Sequence, residues 1–248
     1  MSRKTIIITD VTAMSADNVC IAGYYDSITC VRPVLSRSQL KKHHLFKGNE
    51  LIVYPSALVS FNFIGARSNP PHVEDLVFAE DSIEKEGELL PKEWRQLLDK
   101  TATTKFSHIF PNMEDRYVPP LSDGPSLGTF APANIPFLSC DYYKDPPRPR
   151  MMITDGTGKV IEKVAITDLA LRSYFTALMK KYSENCETVM NKINSGLQER
   201  QVYLRLGLAR PFDGLPEPYG GWCTLQVNGI HTFPDLYNVD YGDWIQLD

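Results

Sequence analysis

Two strand-like runs of this chain carry the same dipeptide where their apolar alternation stops. They are Ile28-Thr29-Cys30-Val31-Arg32-Pro33-Val34-Leu35 near the start and Val202-Tyr203-Leu204-Arg205-Leu206-Gly207-Leu208-Ala209-Arg210-Pro211 near the end. Proline fixes φ and has no N–H to donate, so a sheet accepts it at an edge or a strand end and not in its middle. Arg32 and Arg210 are thereby predicted to stand at the lip of a sheet, where small β-barrels keep their ligand surfaces. The pair predicts two barrel-like modules, each with a cation at its mouth.

The spacing of the other elements agrees. Residues 5–12, 20–25, 28–35 and 50–64 read as strands, the last broken at Pro55, with no helical period between them. Such a succession favours an antiparallel barrel over βαβ units. After Arg67 the texture changes, and Pro91 opens a short predicted helix through Trp94, Leu97 and Leu98. Proline and glycine are dense over 111–150, including Pro119, Pro120, Pro132, Pro136 and the run Pro146-Pro147-Arg148-Pro149-Arg150. That stretch is predicted to be irregular but packed down, because Phe130, Ile135, Phe137, Leu138, Tyr142 and Tyr143 would be costly to expose. A hairpin follows around Gly156-Thr157-Gly158. Asp168 then caps a long helix whose apolar residues recur every three or four positions from Leu171 to Leu197, with Gly196 placed to end it and an interruption near 183–185. Strands over 202–209 and 222–233 precede the tail Asp243-Trp244-Ile245-Gln246-Leu247. The expected fold is mainly β with α: barrel modules over 1–78 and 150–248, an irregular Pro/Gly-rich insert with a short helix over 79–149, and one long helix in the second module.

Composition narrows the function classes. The chain has 248 residues, 43% hydrophobic and 23% charged, as an ordinary globular protein does. Its formal net charge of -4 argues against a protein held to duplex DNA mainly by phosphate contacts. Charge is uneven, however: Arg37, Lys41, Lys42 and Lys47 belong to a basic first part, whereas Glu74, Asp75, Glu80, Asp81, Glu84, Glu86 and Glu88 make the next thirty or so residues acidic. The five cysteines, Cys20, Cys30, Cys140, Cys186 and Cys223, are far apart and form no C-x-x-C pair. They are read as reduced thiols of a cytoplasmic protein. Neither a secretory leader nor a membrane span is expected from the apolar runs.

No catalytic motif emerges, and no cofactor or metal is expected. His72 with Glu74 and Asp75 offers a base and two carboxylates, but neighbours one or two apart on a strand diverge. The plainer expectation is that His72 caps a turn and the acids are solvated. Gly156-Thr157-Gly158 lacks the spacing of a phosphate-binding loop. His43-His44 beside Lys41-Lys42 forms a polar loop with a phosphate role as one alternative. Binding groups are better represented. Arg32 and Arg210, with Arg37 and Arg205 as further cations, offer planar donor forks for phosphate or carboxylate, although a strand-end arginine also serves as a purely structural partner. In 222–234, alternation places Gln226, Asn228 and His231 as edge readers of a base or sugar. Tyr24, Tyr25, Trp222 and Phe233 are candidate stacking platforms, with core packing the alternative for Trp222 and Phe233.

At these residues the chain resembles the prokaryotic dual OB-containing domain family, described as two oligonucleotide/oligosaccharide-binding barrels in tandem. The matching blocks are Cys20-Ile21-Ala22-Gly23, Cys30-Val31-Arg32-Pro33-Val34, Pro70-Pro71-His72-Val73-Glu74-Asp75, Ile166-Thr167-Asp168, Leu204-Arg205-Leu206-Gly207-Leu208-Ala209-Arg210-Pro211 and, after Trp222, Leu225-Gln226-Val227-Asn228-Gly229-Ile230-His231-Thr232-Phe233-Pro234-Asp235. The resemblance implies tandem OB-like barrels and binding of nucleic acid or a nucleotide, in bacterial nucleic-acid processing or anti-phage defence. The leading expectation is a non-enzymatic module for single-stranded nucleic acid or a nucleotide-like ligand. The alternatives are a protein adaptor in a defence complex, docking through the Pro-rich insert and the acidic segment, and an enzyme built on His72, Glu74 and Asp75.

Overall fold

The computed structural model describes residues 2–26, 28–142, 147–183 and 185–237. Ser27, which lies between the strands read at 20–25 and 28–35, Tyr143, Pro146 and the tail from Asp243 lie outside them. The described part is mainly β with three α-helices.

The first sheet contains β1 (Ser2–Ala13), β2 (Val19–Tyr25) and β3 (Thr29–Val34). A two-residue pair, β4 (Phe46–Lys47) and β5 (Glu50–Leu51), forms its own small hairpin. The sheet continues with β6 (Ala57–Ala66), β7 (Asp75–Phe78) and β8 (Glu84–Glu88). Its order is β1-β2-β3-β7-β6-β8, and β1 also pairs with β6. Five strands thus close into a barrel, with β8 added on β6. Closure depends on the length of β1: Ser2–Ile7 pairs with β6, and Ile7–Ala13 pairs with β2. The core carries Ile6, Ile8, Val11, Val31, Val59 and Phe61. At Gly23, opposite Ile8, an added Cβ would overlap the Ile7 carbonyl oxygen, so only glycine lets these two strands meet.

Helix α1 (Pro91–Thr101) has Pro91 at its first position, and Glu93 accepts from the Leu90 N–H at 2.9 Å. Its buried residues Trp94, Leu97 and Leu98 are one stripe at i, i+3 and i+4, and they pack between the sheets with Tyr24 and Tyr203.

The second sheet uses β9 (Ala102–Thr103), β10 (Tyr117–Val118), β11 (Leu127–Phe130), β12 (Phe137–Asp141), β13 (Arg148–Thr154), β14 (Val160–Ile166), β15 (Gln201–Leu208) and β16 (Cys223–Phe233). Between β14 and β15 lie α2 (Leu169–Lys181) and α3 (Cys186–Gln198). The order is β12-β13-β14-β16-β15-β11-β9, with β10 on β16. Strands β12 to β16 repeat the pairing order of the first barrel, including one parallel pair, β14 with β16, that matches β3 with β7.

Among the described residues this sheet does not close into the second barrel expected from sequence. In the first module one continuous strand serves both neighbours. Here that task is divided: β11 pairs with β15 and β12 with β13, while Pro132 and Pro136 interrupt the chain between them. The other edge of β12 is taken by Asn194 of α3, whose side chain accepts from Leu138 N at 2.8 Å and donates to Leu138 O at 2.9 Å.

Other expectations are corrected too. Strands β8 to β12 fall in the stretch read as irregular. Those prolines delimit short strands, and the neighbouring sheets supply the hydrogen bonds. The long helix is two, because the Asn185 side chain accepts from Thr188 N at 2.9 Å and starts α3 afresh. Gly196 does not end α3, which runs on to Gln198. Its role is close approach, since a Cβ there would sit 2.9 Å from Leu236 Cδ1. Cys140 and Cys186, read as reduced, are paired and tie β12 to α3 with their Cα atoms 6.5 Å apart.

The sheets meet along β1 and β16. A bulge between Ile8 and Asp10 turns Asp10 out of the first barrel, and another sits between Arg205 and Leu206. Arg205, with no exposed surface, donates through Nε to Asp10 Oδ1 at 2.7 Å and through Nη1 to Tyr24 Oη at 2.7 Å and Thr129 Oγ1 at 2.9 Å. Burial opposes the charge, but Asp10 and its neighbours outweigh it, so the guanidinium stays protonated. Beside it, His231 Nε2 donates to Thr9 O at 2.8 Å. Gly229 makes room, because a Cβ would come within 3.2 Å of both Thr9 O and His231 Nε2. Arg205→Met is expected to lower stability by about 3–5 kcal/mol, since it strands a buried carboxylate, while Asp10→Leu combined with Arg205→Met regains most of the loss. Urea denaturation of the two variants checks this, and a double variant as unstable as the single one would contradict it.

Candidate functional site

A cavity of about 460 Å3 opens where the sheets meet. The first contributes Thr12, Arg32 and Arg67; the second contributes Thr167, Arg210 and Gln226. Cys20 and Asn228 also line it.

Asp75 organises the cationic end. Parallel pairing sets it opposite Arg32 in register, and Arg32 Nη1 donates to Asp75 Oδ1 at 2.9 Å. Arg210 Nη2 donates to the other oxygen, Asp75 Oδ2. The Arg67 backbone N–H donates to Asp75 O at 2.9 Å, and its guanidinium holds the carbonyls of Leu35 and Ser36. Two guanidinium groups therefore share one carboxylate, and a third, that of Arg67, lines the same cavity. Among the described residues no aspartate or glutamate lines the cavity, so its wall is positive. Arg32 is buried, whereas Arg67 and Arg210 are exposed.

The amide end comes from β16. Thr167 Oγ1 donates to Asn228 Oδ1 at 3.0 Å, and the Asn228 amide lies over Gly207, where any Cβ would overlap it. Among the described residues neither its Nδ2 nor the half-buried Gln226 amide has a hydrogen-bond partner. Cys20 is a free thiol, and burial pushes its pKa up.

Of the residues singled out from sequence, Arg32, Arg210, Gln226 and Asn228 converge on this cavity. Four others lie elsewhere. Arg37 is exposed beside the rim, Arg205 and His231 are consumed between the sheets, and half-buried Trp222 packs edge-on against Tyr219 at 5.2 Å. Arg32 does not stand free at a lip, because Pro33 extends a strand pairing that buries it. The rings proposed as platforms are also engaged: Tyr24 holds Arg205, Lys4 lies 4.3 Å from the Tyr25 ring centre, and Phe233 packs against Tyr203. His44 of the His43–His44 loop pairs with Glu80 at 2.9 Å.

His72, Glu74 and Asp75 are neither solvated nor convergent. Each is buried and stitches the first module to the second. His72 Nε2 donates to Leu208 O at 3.2 Å, and Glu74 accepts from Ser126 N at 2.6 Å and Leu127 N at 3.1 Å. Among the described residues no group of three His, Cys, Asp or Glu is placed to hold a metal ion. Sequence reasoning missed Arg67, Thr12 and Thr167 as cavity residues. Arg67 carried no signal beyond preceding Ser68-Asn69-Pro70-Pro71, and only tertiary folding brings it to Asp75.

No protein-family model matches the chain, and no curated protein matches it.

Three buried groups set how stability responds to acid. Unfolded, His72 and His231 protonate near 6.5; folded, each resists until about 4, because burial, reinforced at His72 by Arg210 and Arg32, opposes the imidazolium. Asp168 runs the other way, since burial lifts its carboxyl from 3.8 to about 7 although it caps α2 and accepts from Ile230 N at 2.8 Å. Between pH 6.5 and about 4 the unfolded chain holds two imidazole protons that the folded chain lacks, while the folded chain holds one carboxyl proton, taken up near pH 7, that the unfolded chain refuses. Stability is expected to fall on acidification by roughly 1.4 kcal/mol per pH unit over that window. Asp168→Asn should about double that slope, read from urea midpoints at several pH values. A slope unchanged by the substitution would contradict the assignment.

Proposed function

We propose that the chain is a non-enzymatic binding module that takes an anionic ligand, a single-stranded nucleic acid or a nucleotide, in the cavity between its sheets. The observation that carries this reading is that Arg67, Arg210 and Arg32 line one cavity together with the Gln226 amide and the Asn228 Nδ2 donor, with no carboxylate among the described lining residues. Guanidinium forks match phosphate oxygens, and amides match base or sugar edges. A volume of about 460 Å3 is of the size that encloses small ligands.

We read the two sheets as tandem OB-like modules, the second with its first strand split into β11 and β12. The repeated strand order and the parallel pair in each sheet support that reading. Membership of the prokaryotic dual OB-containing domain family, and a role in nucleic-acid processing or defence, belong to the same proposal. The adaptor alternative loses its electrostatic support, because much of the acidic segment is engaged internally: Glu84 and Glu86 with Arg3, Glu88 with Tyr54, Asp75 with two arginines. The enzymatic alternative loses its base, since neutral His72 is buried on Leu208.

The test replaces Arg67 and Arg210 together by alanine, both being exposed and outside the core. Binding of a labelled single strand and of nucleoside monophosphates is measured against salt, with thermal melting as the fold control. The double variant is expected to bind at least tenfold more weakly and with a shallower salt dependence. If neither ligand class binds the unaltered chain, or the double variant binds equally well, the proposal fails.

A further inference from the structure

We infer, building on the anionic-ligand reading above, that the cavity takes a single phosphorylated nucleoside and not a strand. Three observations separate these ligands. The first is size and position. The lining comes from both modules, Arg67 from the first and Arg210 from the second, so a ligand inside it is gripped between sheets and not laid along one.

The second is the absence of rings. Sequence-tolerant binding of single strands depends on successive bases stacking on aromatic side chains. None of the described residues lining the cavity is aromatic. The rings that strand binding would use are committed to Arg205, Lys4, Tyr219 and Tyr203, as described above.

The third is polarity. The two ends of the cavity ask for different chemistry on one molecule. Among the described residues, Nε and Nη1 of both Arg67 and Arg210 have no hydrogen-bond partner although both residues line the cavity, and guanidinium donors left open in this way suit the oxygens of a terminal phosphate. Asp75 also holds Arg210 in place before any ligand arrives, which reduces the ordering cost of binding. At the other end Thr167 occupies the Asn228 acceptor and leaves only its Nδ2 donor, so the facing ligand atom must be an acceptor. Asn228 is 8% exposed and lines the cavity, so its remaining donor is placed to meet a base carbonyl or ring nitrogen there. Gln226 beside it supplies both a donor and an acceptor. A phosphate at one end and a heterocycle edge at the other describes a nucleoside monophosphate.

The experiment titrates the full chain with four probes: the ribonucleoside 5′-monophosphates, their parent nucleosides, inorganic phosphate, and a single-stranded oligonucleotide lacking terminal phosphates. At least one monophosphate is expected to bind about tenfold or more tightly than both its nucleoside and inorganic phosphate. Arg67→Ala or Arg210→Ala should remove the advantage over the nucleoside. Gln226→Ala should weaken the monophosphate and leave inorganic phosphate unchanged. Inorganic phosphate bound as tightly as every monophosphate would overturn the inference. Tight oligonucleotide binding with no monophosphate binding would overturn it too, while leaving the anionic-ligand reading intact. Failure of every probe would remove both.

Discussion

A guanidinium without exposed surface sits between the two sheets, and the rest of the molecule is arranged to make that tolerable. An isolated charge there would cost far more than the stability of a domain, so Arg205 must meet Asp10, Tyr24 and Thr129 together. That demand fixes geometry. Asp10 reaches it only because β1 bulges, and Gly229 must lack a side chain so that Thr9 and His231 can close beside it. A buried pair of this kind is a poor source of stability compared with an apolar core. What it provides is register: the sheets have one way to meet that satisfies every group.

The cavity inherits that alignment. With β1 and β16 docked, Arg210 arrives opposite Asp75, and Thr167 brings Asn228 to the cavity wall. Asp75 plays the part within the site that Asp10 plays between the sheets. The difference is exposure. Asp10 faces a cation fully withdrawn from water, whereas Asp75 serves one buried arginine and one whose side chain keeps 48% of its surface. The first arrangement is closed and structural. The second leaves donors unspent beside the cavity, and the proposed binding role rests on those donors.

His72, Glu74 and Asp75 show how chemistry read from residue type can misplace its purpose. Their side chains suit catalysis or metal binding in isolation. In the fold, each bonds to a different element, and they serve as three struts crossing from β7 and the turn before it to β11, Leu208 and Arg210. Burial then suppresses the basicity of His72, so the group with most catalytic promise is the one held neutral and out of reach.

Local pattern alone determined four of the five strands of the first barrel, all but β7, together with β15 and β16 as strands, the helix stripe at Trp94, Leu97 and Leu98, and the Asp168 cap. Alternation, period and capping chemistry are properties of neighbours along the chain. The interest of Arg32, Arg210, Gln226 and Asn228 was legible for the same reason, since side-chain type at a strand end constrains what it can bind. Only tertiary structure decided that the second sheet does not close among the described residues, that Pro132 and Pro136 lie between β11 and β12, and that Arg205 and His231 face inward. Burial and pairing between residues a hundred or more positions apart, such as Asp10 with Arg205, depend on how whole sheets dock. No local window of sequence contains that information.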